Sequence, residues 1–325
     1  MRTVLGRALG VLGLAALVVA GAACSDDEGA EADIVVTTNV LGDVVRTIVG
    51  DDATVQVVMP PAANPHDFAP SPKEVATMRA ARVIVVNGHG FEEGLLDTIE
   101  AAEADGAVVI AAADGVAADH DDDHDDDHGH DDGDHGHDDD HRHGHVHDGD
   151  AHFFSDPVRM AAAVAHLATE LRAHVPALDT DAFAERVDAY LAELHALVAE
   201  VTELLEPVPA ERRVLVTNHD VLGAFAERFG FEVLGVIVPG GSTLAEPSAA
   251  ELAALAEAVR EAGVPAVFAD ATAPARLAEA LADERRGVAV VELFTESLGE
   301  PGSGADTYLG MVRTNAERIA AALTP

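Results

Sequence analysis

Residues 179–206 read DTDAFAERVDAYLAELHALVAEVTELLE, and the placing of their apolar side chains decides the fold. Phe183, Val187, Tyr190, Leu191, Leu194, Leu197, Val198, Val201 and Leu205 recur mostly at steps of three and four, the period of one helical face. The stretch predicts one helix of 28 residues. At about 1.5 Å per residue it is ~42 Å long. Pro207 and Pro209 stop it, because proline lacks an N–H and its ring clashes with the preceding turn. Outward from this helix the two halves of the chain repeat one pattern. Apolar, strand-like runs occupy 34–38, 54–59, 82–87 and 107–111 before it, and 213–217, 232–238, 266–269 and 288–293 after it. Segments of helical period separate most of them, for example 248–262 and 275–283. Continuous apolar strands alternating with helices imply parallel sheets covered on both faces. The predicted fold is α/β: two doubly wound parallel-sheet lobes, 34–178 and 207–325, joined by one long rigid helix.

The first lobe is interrupted at 119–150 by DHDDDHDDDHGHDDGDHGHDDDHRHGHVHDGD, which holds ten of the 17 histidines and fifteen acids. Val146 is its only sizeable apolar side chain, so the segment has nothing to pack and is predicted to be a disordered, exposed loop. A solvated acidic linker would explain the aspartates but not their alternation with imidazoles. Both groups are ligands for borderline divalent ions. His120, His124, His128, His130, His135, His137, His141, His143, His145 and His147 are therefore expected to form an accessory, low-affinity metal loop.

Composition narrows the function classes. The 325 residues carry 19 Lys+Arg against 59 Asp+Glu, a formal net charge of −40. Such a field repels phosphate and argues against nucleic acid or anionic headgroups as partners. A hydrophobic content of 48 % supplies ample core, so the chain as a whole is not a disordered acidic one. A single cysteine excludes a disulfide framework and a cysteine-based zinc finger. With 4 % aromatics and no Trp, platforms that stack sugars or bases are disfavoured. Lys73 is the only lysine and alanine abounds, a codon bias without functional meaning.

Residues 1–24 read as an address. Arg2 and Arg7 precede a short apolar run at 8–20 that is too brief to span a ~30 Å bilayer core. Ala20-Gly21-Ala22-Ala23-Cys24 resembles a bacterial lipobox, with Cys24 as the lipidated residue and 25–33 as a tether. Ala20-Gly21-Ala22 also suits ordinary A-x-A cleavage; either route places the mature protein outside the cytoplasm.

In open α/β sheets, ligands bind beyond the carboxyl ends of the strands. His66 follows the run at 54–59, His219 follows 213–217, and Glu296 follows 288–293; His152 lies just before the helix expected from Asp156-Pro157. Three imidazoles and a carboxylate suit a four-coordinate zinc site. Spacing by itself leaves the alternative of four hydrogen-bonded side chains open. Asp67 and Asp220 follow two of these residues and are read as loop supports, with support of a ring N–H as the alternative. His89, near the cleft, is read as a neighbour of the site or a solvent-facing residue rather than an accessory ligand, and His166, His174 and His195 as surface residues. Met59 and Phe68 are read as packing, and Gly240-Gly241-Ser242 as a turn.

Asn64-Pro65-His66-Asp67-Phe68-Ala69-Pro70-Ser71-Pro72 closely resembles the N-P-H-x-[FY]-x-P-[ST] motif of the ZnuA/TroA-type (cluster A-I) metal-binding lipoproteins, the solute-binding components of zinc and manganese ABC transporters. Asn87-Gly88 with Gly90-Phe91-Glu92 is similar to their N-G-x-G-[FL]-E segment. His152-Phe153-Phe154-Ser155-Asp156-Pro157 is similar to H-x-W-x-D-P, with Phe154 in place of Trp. Glu246-Pro247-Ser248, Thr295-Glu296-Ser297-Leu298-Gly299 and Gly304-Ala305-Asp306-Thr307-Tyr308 match further landmarks. The resemblance implies a metal site in the inter-lobe cleft made by His66, His152, His219 and Glu296. Its fourth ligand is usually Asp, so Glu296 departs from the pattern by one methylene. Manganese members generally carry a carboxylate where His219 stands, and a third imidazole favours the softer Zn²⁺.

The implied function is extracytoplasmic capture of Zn²⁺ and its delivery to an ABC-type permease with a cytoplasmic ATPase, by a lipid-anchored monomer. Manganese transport, or a buffer without a transporter, are the alternatives. A zinc hydrolase would need an open coordination position, and no H-E-x-x-H, nucleophile elbow or general base is found.

Overall fold

Four short strands build each half of the molecule. In the first half these are β1 (Ile34–Val36), β2 (Val55–Val57), β3 (Val83–Val86) and β4 (Val108–Ala111); in the second, β5 (Val214–Thr217), β6 (Glu232–Val236), β7 (Ala266–Asp270) and β8 (Ala289–Leu293). The helices are α1 (Asn39–Val49), α2 (Pro72–Ala80), α3 (Leu96–Ala104), α4 (Pro157–His174), α5 (Asp181–Leu205), α6 (Gly223–Phe229), α7 (Ala249–Ala262), α8 (Arg276–Asp283) and α9 (Tyr308–Leu323). The computed structural model describes residues 32–116, 150–238, 247–273, 275–283 and 287–325. The leader with Cys24, nearly all of the tether, the ten loop histidines, the Gly240-Gly241-Ser242 turn and Glu246 lie outside the described residues.

Both sheets are wholly parallel and share one topology, β2-β1-β3-β4 and β6-β5-β7-β8. The strand order reverses beside β1 in one and beside β5 in the other, and a doubly wound sheet opens its ligand crevice at such a point. Alternate side chains go to opposite faces. Ile34, Val36, Val83 and Val85 join a large inner core, whereas Val35, Ile84 and Val86 pack outward with Met78 and Leu95. The second sheet divides in the same way, with Leu215 and Phe268 inward and Val216 and Val267 outward.

The inner core is continuous across both halves, and α5 forms its spine. Phe183, Val187, Tyr190, Leu194, Leu197, Val201 and Leu205 are its buried stripe, packed on α4, α9 and α1. Thr180 caps its start by accepting from the Phe183 N–H at 3.1 Å. Arg186 crosses to the end of α1, donating to the Ile48 and Val49 carbonyls at 2.9 and 2.8 Å. Glu200 pairs with Arg313 of α9 at 2.6 and 2.8 Å. The helix has 25 residues rather than the 28 expected. Thr180 and Glu206 are caps, and Asp179 belongs to the preceding turn.

Short local signals set the other helices. Ser71 and Glu74 form a reciprocal capping box with Pro72 at the first position of α2, and Ser248 with Glu251 does the same for α7.

Candidate metal centre

The four residues from distant parts of the sequence meet between the two sheets. His66, His152, His219 and Glu296 each offer a ligand atom, and these atoms lie within 4.8 Å of one another. All four side chains are buried, His219 completely. His66 sits in the turn after β2, His152 just ahead of α4, His219 directly after β5, and Glu296 after β8.

Local chemistry aims each imidazole. Asn64 Oδ1 accepts the His66 N–H at 2.9 Å, and Asp150 Oδ1 accepts the His152 N–H at 2.8 Å, two Asx turns that place a ring on the cleft side. Asn87 Nδ2 donates to the Ala151 carbonyl at 2.8 Å and so pins the His152 segment to the end of β3. From the other half, Tyr308 Oη donates to the Phe154 carbonyl at 2.8 Å, and Arg228 Nε holds Asp156, the α4 cap, at 2.9 Å. Thr217 Oγ1 donates to the His219 carbonyl at 2.7 Å. Phe91 and Phe154 meet edge to face at 5.4 Å and wall the site against His152.

The Nε2 atoms of His66, His219 and His152 stand 2.6, 2.7 and 3.6 Å from one atom, Glu296 Oε1. Glu296 Oε2, His219 Nδ1 and His152 Nε2 are buried without a hydrogen-bond partner. Such orphans are costly in a core and are a sign of a missing partner. A divalent cation would take one lone pair from each of the four groups at once. Tetrahedral zinc, with bonds of about 2.0–2.2 Å, sets its ligand atoms roughly 3.4 Å apart. The two shortest contacts would therefore widen, and the longer separations, all within 4.8 Å, would close around it.

The charges are arranged for a cation. Burial opposes the charge of Glu296, but the three imidazoles gathered on it, His152, His219 and His66, outweigh burial and hold the carboxyl well below its ordinary range. Burial also opposes a proton on His66, yet Glu296 and then Glu93 raise its pKa on balance.

Sequence reasoning missed Glu93. Its Oε1 lies 3.0 Å from His66 Nδ1 and supplies the ring support that the sequence offers Asp67 for, while Asp67 and Asp220 are exposed. Gly94 makes this approach possible, since a Cβ there would stand 2.1 Å from the Phe68 carbonyl oxygen. Asp270, at the end of β7, was missed too. It is buried, accepts the Thr295 N–H at 3.3 Å and both the Thr295 and Thr272 hydroxyls, and burial raises its pKa. Both were invisible as lone acids in an acidic chain. His89 stands at φ +53° after β3, outside the cluster of four. His195 is exposed, and His166 and His174 are partly so; Met59 is core and Phe68 packs at its edge.

Among known proteins, the family model described as "Zinc-uptake complex component A periplasmic" matches residues 34–322. The zinc-binding protein TroA of Treponema pallidum is 29 % identical over 89 % of the chain and 88 % of its own length. Its structure, the periplasmic zinc binding protein, covers 91 % of the chain and 100 % of its own, with a TM-score of 0.76 at 28 % identity. The manganese-binding lipoprotein MntA of Halalkalibacterium halodurans is 24 % identical over 97 % of both chains. A Mn-bound periplasmic metal binding protein from Candidatus Liberibacter asiaticus shares the fold, with a TM-score of 0.71 at 18 % identity over 89 % of this chain and 98 % of its own.

Proposed function

We propose, since the chain belongs to the family of periplasmic zinc-uptake component A proteins, that it captures Zn²⁺ outside the cytoplasm and hands it to an ABC-type permease with a cytoplasmic ATPase. The observation that carries this reading is the convergence of three buried imidazoles and one buried carboxylate on a single point. His66, His152, His219 and Glu296 would hold the ion in a dry, four-coordinate site, its ligands supplied by both lobes. The third imidazole, His219, favours Zn²⁺ over the harder Mn²⁺. With the fourth position taken by Glu296 rather than by water, the site suits binding and not hydrolysis. Glu296 Oε2, buried and without a partner, offers a second oxygen contact.

The remaining roles follow from the sequence. The ten loop histidines would collect zinc weakly near the entrance. Cys24 would carry a lipid that keeps the protein, as a monomer, near its permease. Among the described residues no helix is long and apolar enough to cross a membrane.

Chelator-competition titration tests the reading, with Zn²⁺ and Mn²⁺ in parallel on the full chain and on a form lacking 119–150. The expected result is one tight zinc in both forms, lost on His66→Ala or His219→Ala. Tight binding that disappears with the loop would instead assign the metal to that segment. Tighter binding of Mn²⁺ than of Zn²⁺ would make the protein a manganese component.

A further inference from the structure

Glu296 meets three imidazoles only if the backbone on both sides of it is held, and the two sides are held by different lobes. Its predecessor Thr295 is anchored within its own lobe, by hydrogen bonds from its N–H and hydroxyl to Asp270. Its successor Ser297, almost fully buried, is anchored to the other lobe. Ser297 Oγ accepts from Asn39 Nδ2 at 2.9 Å and from the Ala62 N–H at 2.8 Å. Asn39 opens α1, and its Nδ2 also donates to the Pro60 carbonyl at 2.8 Å while its Oδ1 accepts the Leu298 N–H at 2.7 Å. One asparagine thus ties the loop that carries His66 to the loop that carries Glu296. Ala62, four residues before His66, takes φ +61°, a left-handed conformation that alanine adopts only when its surroundings impose it. Its N–H is then aimed at Ser297. Beside this bridge lies a cavity of about 390 Å³ lined by Asn39, Asp43, Pro60, Leu298, Gly299 and Asp306. Across it, Asp43 accepts the Tyr308 N–H at 2.8 Å as a further tie.

We propose that Asn39 and Ser297 form an inter-lobe clamp that positions the Glu296 carboxylate against His66 and sets the rate at which the captured ion leaves. The inference rests on the metal-binding reading above. Separation of the lobes keeps the Thr295 anchor and breaks the Ser297 anchor, so the carboxylate cannot stay on the ion while the clamp opens. Removing the Ser297 hydroxyl leaves Asn39 Nδ2 and the Ala62 N–H short of an acceptor, which favours the opened arrangement by more than the lost bond alone.

Stopped-flow zinc release into excess chelator, on the zinc-loaded full chain, tests the clamp. Ser297→Ala is expected to release zinc about tenfold faster, the scale of a lost hydrogen bond with its partners left buried. Asn39→Ala, which also loses the bonds to Pro60 and Leu298, should release it at least as fast. Ser297→Thr keeps the hydroxyl and should release near the wild-type rate. Asn39→Asp keeps the shape and the acceptor for Leu298, loses the donor to Ser297, and should also release faster. The double alanine variant should release zinc more slowly than the product of the two single effects predicts, since both remove the shared Asn39–Ser297 bond, and the association rate should not change. Wild-type release rates in the alanine and Asn39→Asp variants, additive effects in the double variant, or a change confined to association would overturn the proposal. Failure of the metal-centre reading looks different: the wild-type protein would hold no slowly released zinc, or His219→Ala would release it at the wild-type rate.

Discussion

The side chain that orients a ligand can matter almost as much as the ligand. Glu93 faces His66 Nδ1 at 3.0 Å while the other ring nitrogen, Nε2, points at Glu296. A carboxylate at Nδ1 fixes the N–H there, frees the Nε2 lone pair for a metal and makes it a better donor. Glu93→Ala should therefore weaken zinc binding roughly 10–100-fold, whereas Glu93→Gln, which keeps an acceptor oxygen, should recover most of the loss. Chelator competition on both variants decides it; equal losses would show that the charge, not the hydrogen bond, matters. His66 and Glu93 are 27 residues apart. No local pattern could pair them, because the contact is created by the fit of the Gly94 turn under Phe68.

Among the elements, α5 has the most to hold together. Its stripe packs on helices of both halves, and Leu194, at its middle, is fully buried. Leu194→Ala should cost about 2–5 kcal/mol, the range for a truncated core leucine that leaves a cavity. Because one core runs through both sheets, urea unfolding followed by circular dichroism should remain a single transition with a lower midpoint. A separate early transition would show that the halves unfold independently. The periodicity that placed this helix was legible because a buried stripe constrains every third or fourth residue along 25 positions. Strand ends were less legible. The apolar run at 54–59 predicts one strand, yet the ladder spans only Val55–Val57. Val58 and Met59 still donate to the Val36 and Thr37 carbonyls at 2.9 Å, and the chain then turns off toward His66.

At the scale of the whole molecule, metal capture and folding share the same titrating groups. Opposition from burial is outweighed at His66 by Glu296 and Glu93, so its pKa lies above the ordinary 6.5. A group raised on folding stabilises the metal-free protein fully below about 6.5, and that contribution is lost as pH rises through the folded value. Glu296, depressed on folding, contributes above its ordinary 4.5 and loses that contribution only in stronger acid. Between about pH 6 and 8 the competitor for zinc is thus the imidazole proton and not the carboxyl. Apparent zinc affinity should fall as pH falls across this window, and the rise in Tm produced by excess zinc should shrink with it. At a hundredfold excess over Kd the ion would add about 2.7 kcal/mol to stability. Calorimetric scans at several pH values, with and without zinc, check this; a zinc-induced shift that grows on acidification would contradict it.

The sequence by itself determined the repeated strand and helix pattern, the long helix between the halves, and which four residues to examine for a metal. Those features are written in local periodicity and in short motifs around each ligand. The tertiary structure alone decided that the four meet at one point, that Glu93 and not Asp67 supports His66, and that Asn39 reaches Ser297 across 258 residues of chain. Local signals fix the direction in which each chain segment leaves its strand. Contacts between segments depend on how two sheets pack against a shared core, and that packing is a property of the whole chain, which no stretch of it carries alone.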